Sequence, residues 1–269
     1  MRRKYTYPLL MMVAITIIYL VNQHLDQKQK EQHVATGAEI KSTALSFLFP
    51  EAAPETVVHH QYYSLSYNEA AEQASWVAYT LEKSQLQNSK SLSRPYFIVD
   101  NAVETGAADW RNYKNSGYDR GHLCPAGDRS FSTQAYNETF LTSNISPQLN
   151  AFNAGIWNRL ENQVRDWASR YNKITVITGG LTTNGLGTIG TENVVVPSAF
   201  YKMVLRKNDS GYSCLAFLIP HRESDAALQQ FVVSVDEVEN ATGIDFFPQL
   251  EDSIEHKIEA EKPVDRWVF

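Results

Sequence analysis

Residues 117–129 read GYDRGHLCPAGDR, and within them DRGH sets Asp119, Arg120, Gly121 and His122 side by side. Four such residues suit a polar turn as well as they suit a site, so their chemistry depends on what lies nearby. A histidine within reach of water is the commonest general base near neutral pH. Farther along, Asn153 falls in the first turn of a helical pattern. Its amide oxygen is a hard, neutral ligand suited to Mg²⁺, an ion that keeps several waters and takes few protein ligands. Arginines beside such a pair would clamp a phosphate and stabilise charge on its oxygens. One His, one Asn, one Glu and several Arg make a site for metal-assisted phosphodiester hydrolysis. A capping asparagine and a surface glutamate are the plainer reading of the same residues.

The elements that must position these side chains follow from periodicity. NAFNAGIWNRLENQVRDWASRY (150–171) reads as a helix, with Phe152, Ile156, Leu160, Val164 and Trp167 forming one buried face. At about 100° per residue, Asn153, Glu161 and Arg165 spread along the flank of that face over roughly 120°. Upstream, residues 67–83 divide between a helical reading and a strand over WVAYTL. SRPYFIVDN (93–101) is a short apolar run, and 102–117 is a loop leading into DRGH. Downstream the pattern is mostly β: KITVITGG (173–180), NVVVP (193–197), AFYKMVLR (199–206) and YSCLAFLIP (212–220), with NDSG (208–211) as a hairpin turn. SVDEVENATG (234–243) opens with Ser234 and Glu237 at capping-box spacing and closes on Gly243, which predicts a short helix. The segment 251–262 reads as a solvated acidic helix.

Composition bounds the rest. The chain has 269 residues, 43% hydrophobic and 20% charged, with a net charge of −6. It is long enough for one large domain with a proper core. The acidity is local: residues 236–262 carry nine acids against Lys257 and Lys262, a net of −7, which leaves +1 elsewhere. Overall charge therefore excludes no nucleic-acid partner. Two cysteines, Cys124 and Cys214, form neither a disulfide framework nor a zinc site, and buried free thiols are the expectation. At the N-terminus, Arg2, Arg3 and Lys4 precede the apolar run 8–21, which is short for a bilayer span and typical of a signal segment. The expected organisation is a signal anchor or signal peptide over 1–25, a polar tether over 26–57, a catalytic-type domain over 58–250, and an acidic C-terminal tail over 251–269. That implies export, with the domain anchored to a membrane outside the cytosol, or secreted or periplasmic if the segment is cleaved; the absence of acids before Asp26 leaves a mitochondrial presequence open as the alternative.

Four blocks, in order, carry a resemblance: SRPYFIVDN, SGYDRGHLCPAGDR (116–129), TSNISPQ (142–148) and FNAGIWNRLENQVR (152–165). Together they resemble the DNA/RNA non-specific endonuclease family, which includes endonuclease G, over roughly residues 58–250. The resemblance implies an α+β, ββα-metal nuclease fold with a central mixed or antiparallel sheet flanked by helices. It implies that His122 is the general base and that Asn153 binds a single Mg²⁺ directly, with Mn²⁺ as a possible substitute. Glu161 would hold metal-bound water. Arg165 and Arg94 would contact phosphate, and Arg120 is a further phosphate candidate. Asp119 would fix the loop, and Gly121 would let backbones approach. The implied activity is internal hydrolysis of DNA and RNA without sequence selection, leaving 5′-phosphates. A homodimer is left open. The contrasting expectation is a catalytically silent nucleic-acid-binding or uptake module. A histidine base would predict that activity falls through the ordinary histidine range. Asn144, Asn150, Trp157 and His221 are expected to be structural or surface residues.

Overall fold

The structure, a computed structural model, describes residues 7, 10–21, 23–24, 49–50, 56–208 and 211–269. It divides into two units, residues 1–39 and 40–269. In the first, the described residues are helical. Among the described residues no helix is long and apolar enough to cross a membrane. Most of the expected tether lies outside the described residues, as do the central two residues of the NDSG turn.

The second unit is built on seven strands. They are β1 (Thr56–His59), β2 (Ser64–Asn68), β3 (Gln73–Glu82), β6 (Lys173–Gly180), β9 (Ala199–Asn208), β10 (Gly211–Pro220) and β11 (Val232–Val233). They lie side by side in that order, and every neighbouring pair is antiparallel. The expected central sheet is therefore present in its antiparallel form. Residues 73–82 are strand, which settles the ambiguous stretch: Val77, Tyr79 and Leu81 face one side, and Trp76 and Ala78 the other. Both faces are covered, so the strands are buried along most of their length rather than alternating with solvent.

Two short ribbons stand apart: β4 (Asp119–His122) with β5 (Ile145–Gln148), and β7 (Thr188–Ile189) with β8 (Val194–Val195). The helices are α1 (Lys83–Gln87), α2 (Thr133–Glu138), α3 (Asn158–Tyr171), α4 (Val235–Thr242) and α5 (Asp252–Ala260). The stretch expected as one helix is α3 preceded by one helical turn, Asn150–Phe152, and a π-turn, Asn153–Trp157. Its five apolar residues are all buried against Val176, Phe200, Val204 and Phe217 of the sheet. Burying each such side chain is worth about 1.5–3 kcal/mol. That face fixes the azimuth of α3, and with it the polar flank.

The opposite face of the sheet carries α4 and α5 through Val235, Val238, Phe246, Phe247 and Ile258. Helix α4 has the predicted capping box, with Ser234 accepting from the Glu237 N–H, and Gly243 closes it at φ 73°. The end of the chain differs from a solvated tail. Ile258 and Glu259 of α5 are buried, and Trp267 packs edge-on against Trp167 in the first core. An indole of that size recovers more free energy in a hydrophobic seat than in water, so the last residues close the domain.

Candidate nuclease site

DRGH is strand β4, and its partner β5 comes from the TSNISPQ block. Asp119 lies opposite Gln148, Gly121 opposite Ser146, and His122 opposite Ile145. Gly121 is required by proximity: a Cβ there would sit 2.2 Å from the Gln148 side chain, which lies buried across the strand. Asn144 ties the ribbon to its surroundings. Its carbonyl accepts from the Cys124 N–H, and its amide donates to the Cys124 and Thr139 carbonyls. Asn144 therefore shapes the turn, as expected.

Arg120 and His122 share one face of β4 and meet an aromatic wall there. The His122 ring lies 5.5 Å from Phe97 and 4.9 Å, edge-on, from Phe140. Its Nε2 is shielded and has no hydrogen-bond partner among the described residues. Burial, with help from the Arg94 charge, pushes its pKa down to about 3. The imidazole is thus held neutral, the form that can accept a proton, well below the pH window expected of an ordinary histidine. The guanidinium groups of Arg94 and Arg120 lie 5.6 and 5.2 Å from the centre of the Phe97 ring. Neither has an ion-pair or hydrogen-bond partner among the described residues. Together with Tyr96 and Trp110 they line an open pocket of about 360 Å³.

Asp119 faces the other way and reaches the helix. Its Oδ2 accepts 3.0 Å hydrogen bonds from the side-chain amides of both Asn150 and Asn153. Asn150 therefore does not cap the helix with its side chain. For Asn153 the consequence is chemical: with Nδ2 fixed, Oδ1 is the atom left to bind something else. The sequence pattern suggested that Asp119 fixes the loop, and the structure extends this to fixing the candidate metal ligand. The π-turn after Asn153 contains Gly155 at φ −93°, ψ −111°, outside the helical region. Such turns recur at functional sites because one extra residue re-aims the side chains before it.

Glu161, on α3, has no hydrogen bond among the described residues. Burial raises its pKa to about 7; Lys202 and Arg165 oppose the rise, and Asp128 adds to it. An unpaired, partly neutralised carboxylate is suited to a nearby cation or its water. The donor set therefore fits a hard divalent ion: a pre-oriented amide oxygen and a free carboxylate, with room for water.

Arg165, expected to contact phosphate, is anchored by side chains of the protein. Its Nη1 donates to Asp128 Oδ1 at 2.7 Å and its Nη2 to Asn162 Oδ1 at 2.8 Å. The physical reason is Asp128, whose carboxylate is wholly enclosed and also accepts from the Tyr79 hydroxyl at 2.8 Å. A charge buried that deeply needs a counter-charge. The structure thus groups Arg94, Arg120 and His122 around Phe97, and Glu161 and Arg165 near Asp128. Asn153 is tied to β4 through Asp119. Among the described residues no direct hydrogen bond links His122 to Asn153 or Glu161.

Sequence reasoning missed Lys202. It lies on β9, fully buried, with its ammonium 4.6 Å from the centre of the Trp157 ring and no hydrogen-bond partner among the described residues. Burial lowers its pKa, while Glu161 and Asp128 pull it up. A lysine in the middle of a strand covered on both faces was the available signal. His221, expected at the surface, is buried: its Nε2 accepts from the Leu149 N–H at 2.7 Å and its Nδ1 donates to the Pro197 carbonyl at 2.8 Å. It braces the entry to the helix. Trp157 is core packing, and Cys124 and Cys214 are buried free thiols, both as expected.

Comparison with known proteins gives the same picture. A family model described as DNA/RNA non-specific endonuclease matches residues 40–253. The mitochondrial nuclease EXOG of Danio rerio is 34% identical over 238 residues, 82% of this chain and 69% of that protein. Its human counterpart is 34% identical over 232 residues, covering 80% and 63%. A nuclease of Nostoc sp. is 32% identical over 216 residues, covering 73% and 76%. The chain thus spans about two thirds of the length of the EXOG relatives. Among solved structures, the crystal structure of the EndoG/EndoGI complex, solved for the mechanism of EndoG inhibition, matches with a TM-score of 0.73 at 26% identity. That match covers 81% of this chain and 96% of the other. The ribbon β4–β5 followed by α3 is the ββα-metal nuclease fold.

Proposed function

Because the chain belongs to the DNA/RNA non-specific endonuclease family of metal-dependent nucleases, we propose that it hydrolyses internal phosphodiester bonds of DNA and RNA without sequence selection. The observation that carries this reading is the pair of unpaired guanidiniums, Arg94 and Arg120, lining an open pocket against the same Phe97 ring that His122 packs on. In this reading Nε2 takes a proton from the attacking water. Arg94 and Arg120 hold the phosphate, and contacts of that kind give little sequence selection and a strong salt dependence. Asn153, oriented by Asp119, holds a divalent ion of the Mg²⁺ type, and Glu161 holds its water; Mn²⁺ is a substitute of the same class. The ion supplies stabilisation of developing negative charge. Arg165, anchored on Asp128, offers a further contact to phosphate in this reading.

The test is incubation of the protein with supercoiled plasmid and with RNA, in Mg²⁺ or EDTA, with His122→Ala alongside. Metal-dependent cutting of both substrates is expected, lowered about 10²–10⁴-fold in the variant. Retention on nucleic acid without cutting by folded wild-type protein would favour a silent binding module instead.

We further propose export from the cytosol, supported by the basic flank of the apolar stretch 8–21. The stretch is either retained as an anchor or cleaved. Fractionation of cells expressing the full chain tests this, and wholly cytosolic full-length protein would overturn it.

A further inference from the structure

Helices α4 and α5 lie on the face of the sheet opposite α3, far in the chain from the nuclease motifs. Between them stand five carboxylates. Oxygens of Asp236, Glu239 and Glu259 lie within 4.8 Å of one another, and so do those of Asp245, Glu255 and Glu259. Glu259 belongs to both groups.

Acids near one another on a surface are ordinary. Two features set these apart. Glu259 is only 6% exposed, and its Oε1 is shielded from solvent with no hydrogen-bond partner; Oε1 of Glu255 is likewise shielded and unpartnered. An unpaired buried carboxylate oxygen carries a desolvation cost that something must offset. The second feature is the lack of a lysine or arginine partner; the basic side chain whose charge acts on the cluster is His256, beside Glu255. Among the described residues no lysine or arginine pairs with any of the five; Lys262, the basic neighbour on this side, is committed to Glu237 at 2.5 Å. One of the ten oxygens has a protein donor, Glu239 Oε1, which accepts from the Phe246 N–H at 2.8 Å. The backbone gives no sign of an unfinished element: α4 is capped at both ends, and Ile258, beside Glu259, sits in the second core. The helices are thus held rigidly while the acids they present repel one another.

We propose that this cluster is a second, structural divalent-cation site of the Ca²⁺ class, centred on Glu259 and separate from the nuclease centre. All the donors are hard oxygens, without imidazole or thiolate, which excludes a soft transition metal. Ca²⁺ accepts six to eight oxygens in flexible geometry and tolerates bidentate carboxylates, whereas Mg²⁺ favours a compact octahedron with few protein ligands. Several converging carboxylates on two helices suit the former. The site ties α4 to α5 and so locks the chain's end onto the sheet.

The experiment uses the full chain, stripped with EDTA, and compares its Tm with and without Ca²⁺. Wild type, Glu259→Gln and Asn153→Ala are run together, the last removing the direct ligand of the proposed catalytic ion. With Ca²⁺ about a hundredfold above its Kd, a rise of roughly 5–10 °C is expected in wild type and Asn153→Ala. That rise should be lost in Glu259→Gln, whose nuclease activity in Mg²⁺ stays at the wild-type level. If Glu259→Gln does not fold, the double variant Asp245→Asn, Glu255→Gln carries the test, with Ca²⁺ affinity by calorimetry expected to fall at least tenfold. A wild type that Ca²⁺ does not stabilise would overturn the proposal. So would a shift that survives in both cluster variants, or one lost with Asn153→Ala alone.

Discussion

The two faces of the sheet each hold a group of acids around one buried carboxylate, Asp128 on one and Glu259 on the other, and they are balanced in opposite ways. Beneath α3, Asp128 and Glu161 have protein cations beside them: Arg165 in a 2.7 Å ion pair, and Lys202 within electrostatic reach. Across the sheet, among the described residues, no lysine or arginine pairs with Glu259 or its four neighbours. The first group has its counter-charge within the fold, paired directly at Asp128 and at longer range for Glu161. The second depends on the solution. A carboxylate cluster thus reads differently according to whether its counter-charge is covalently present, and residue type alone does not distinguish the two.

The largest expected effect comes from breaking the internally balanced group. Arg165→Met should cost about 3–5 kcal/mol, because it leaves Asp128 enclosed and unpaired. In a chain of this size that lowers Tm by roughly 10 °C, measured by calorimetry in EDTA. Arg165→Lys should recover part of the loss, since it restores charge but not the fork that also reaches Asn162. A Tm unchanged in Arg165→Met would show that Asp128 is not held as a charge.

Next in size is Lys202→Met. Lys202 is the charge that most opposes the rise of Glu161, so its loss should raise that carboxyl further above about 7. If ionised Glu161 is needed for cutting, the acid limb of activity moves to higher pH and activity recovers in alkali. A uniform loss at all pH values would assign Lys202 to packing. His122, by contrast, is neutral throughout this range, because its folded pKa is depressed to about 3. Its ring resonances in NMR should therefore titrate below pH 5, and a midpoint near the ordinary 6.5 would contradict the shielding.

The smallest effect has the opposite sign. Without Ca²⁺, Glu259→Gln should be equal to or slightly more stable than wild type, by up to about 1 kcal/mol. The linkage follows from a folded pKa raised to about 8: as pH rises from about 4.5 to 8 the unfolded chain gives up a proton that the folded one keeps. Wild-type stability is then lost progressively across that window, and the gap to Glu259→Gln widens. A gap that narrows would mean Glu259 is paired after all.

Local signals were legible in the residues. The capping box at Ser234 and Glu237, the inward stripe of α3 and the strands of β6, β9 and β10 each depend on neighbours a few positions apart. DRGH and the asparagine-to-glutamate spacing on the helix pointed to the site. What was hidden depends on contacts far apart in the chain. Asp128 meets Arg165 across 37 positions, and His221 meets Leu149 across 72. The role of Lys202 was hidden because its neighbours Trp157 and Glu161 come from a distant stretch of the chain. The seat of Trp267 against Trp167 was hidden by the same distance along the chain, and the acidic composition before it suggested solvent.

The π-turn at Asn153–Trp157 makes the helix one residue longer than its hydrogen-bond ladder needs. Deleting Ala154 would let the two helical pieces merge into one regular run, and Asn153 would swing by about 100° against Glu161. The outcome is a sturdier molecule with a misaimed amide. At this locus activity and robustness pull against each other, so selection for heat resistance alone would be expected to accept such deletions and to return well-folded proteins that no longer cut.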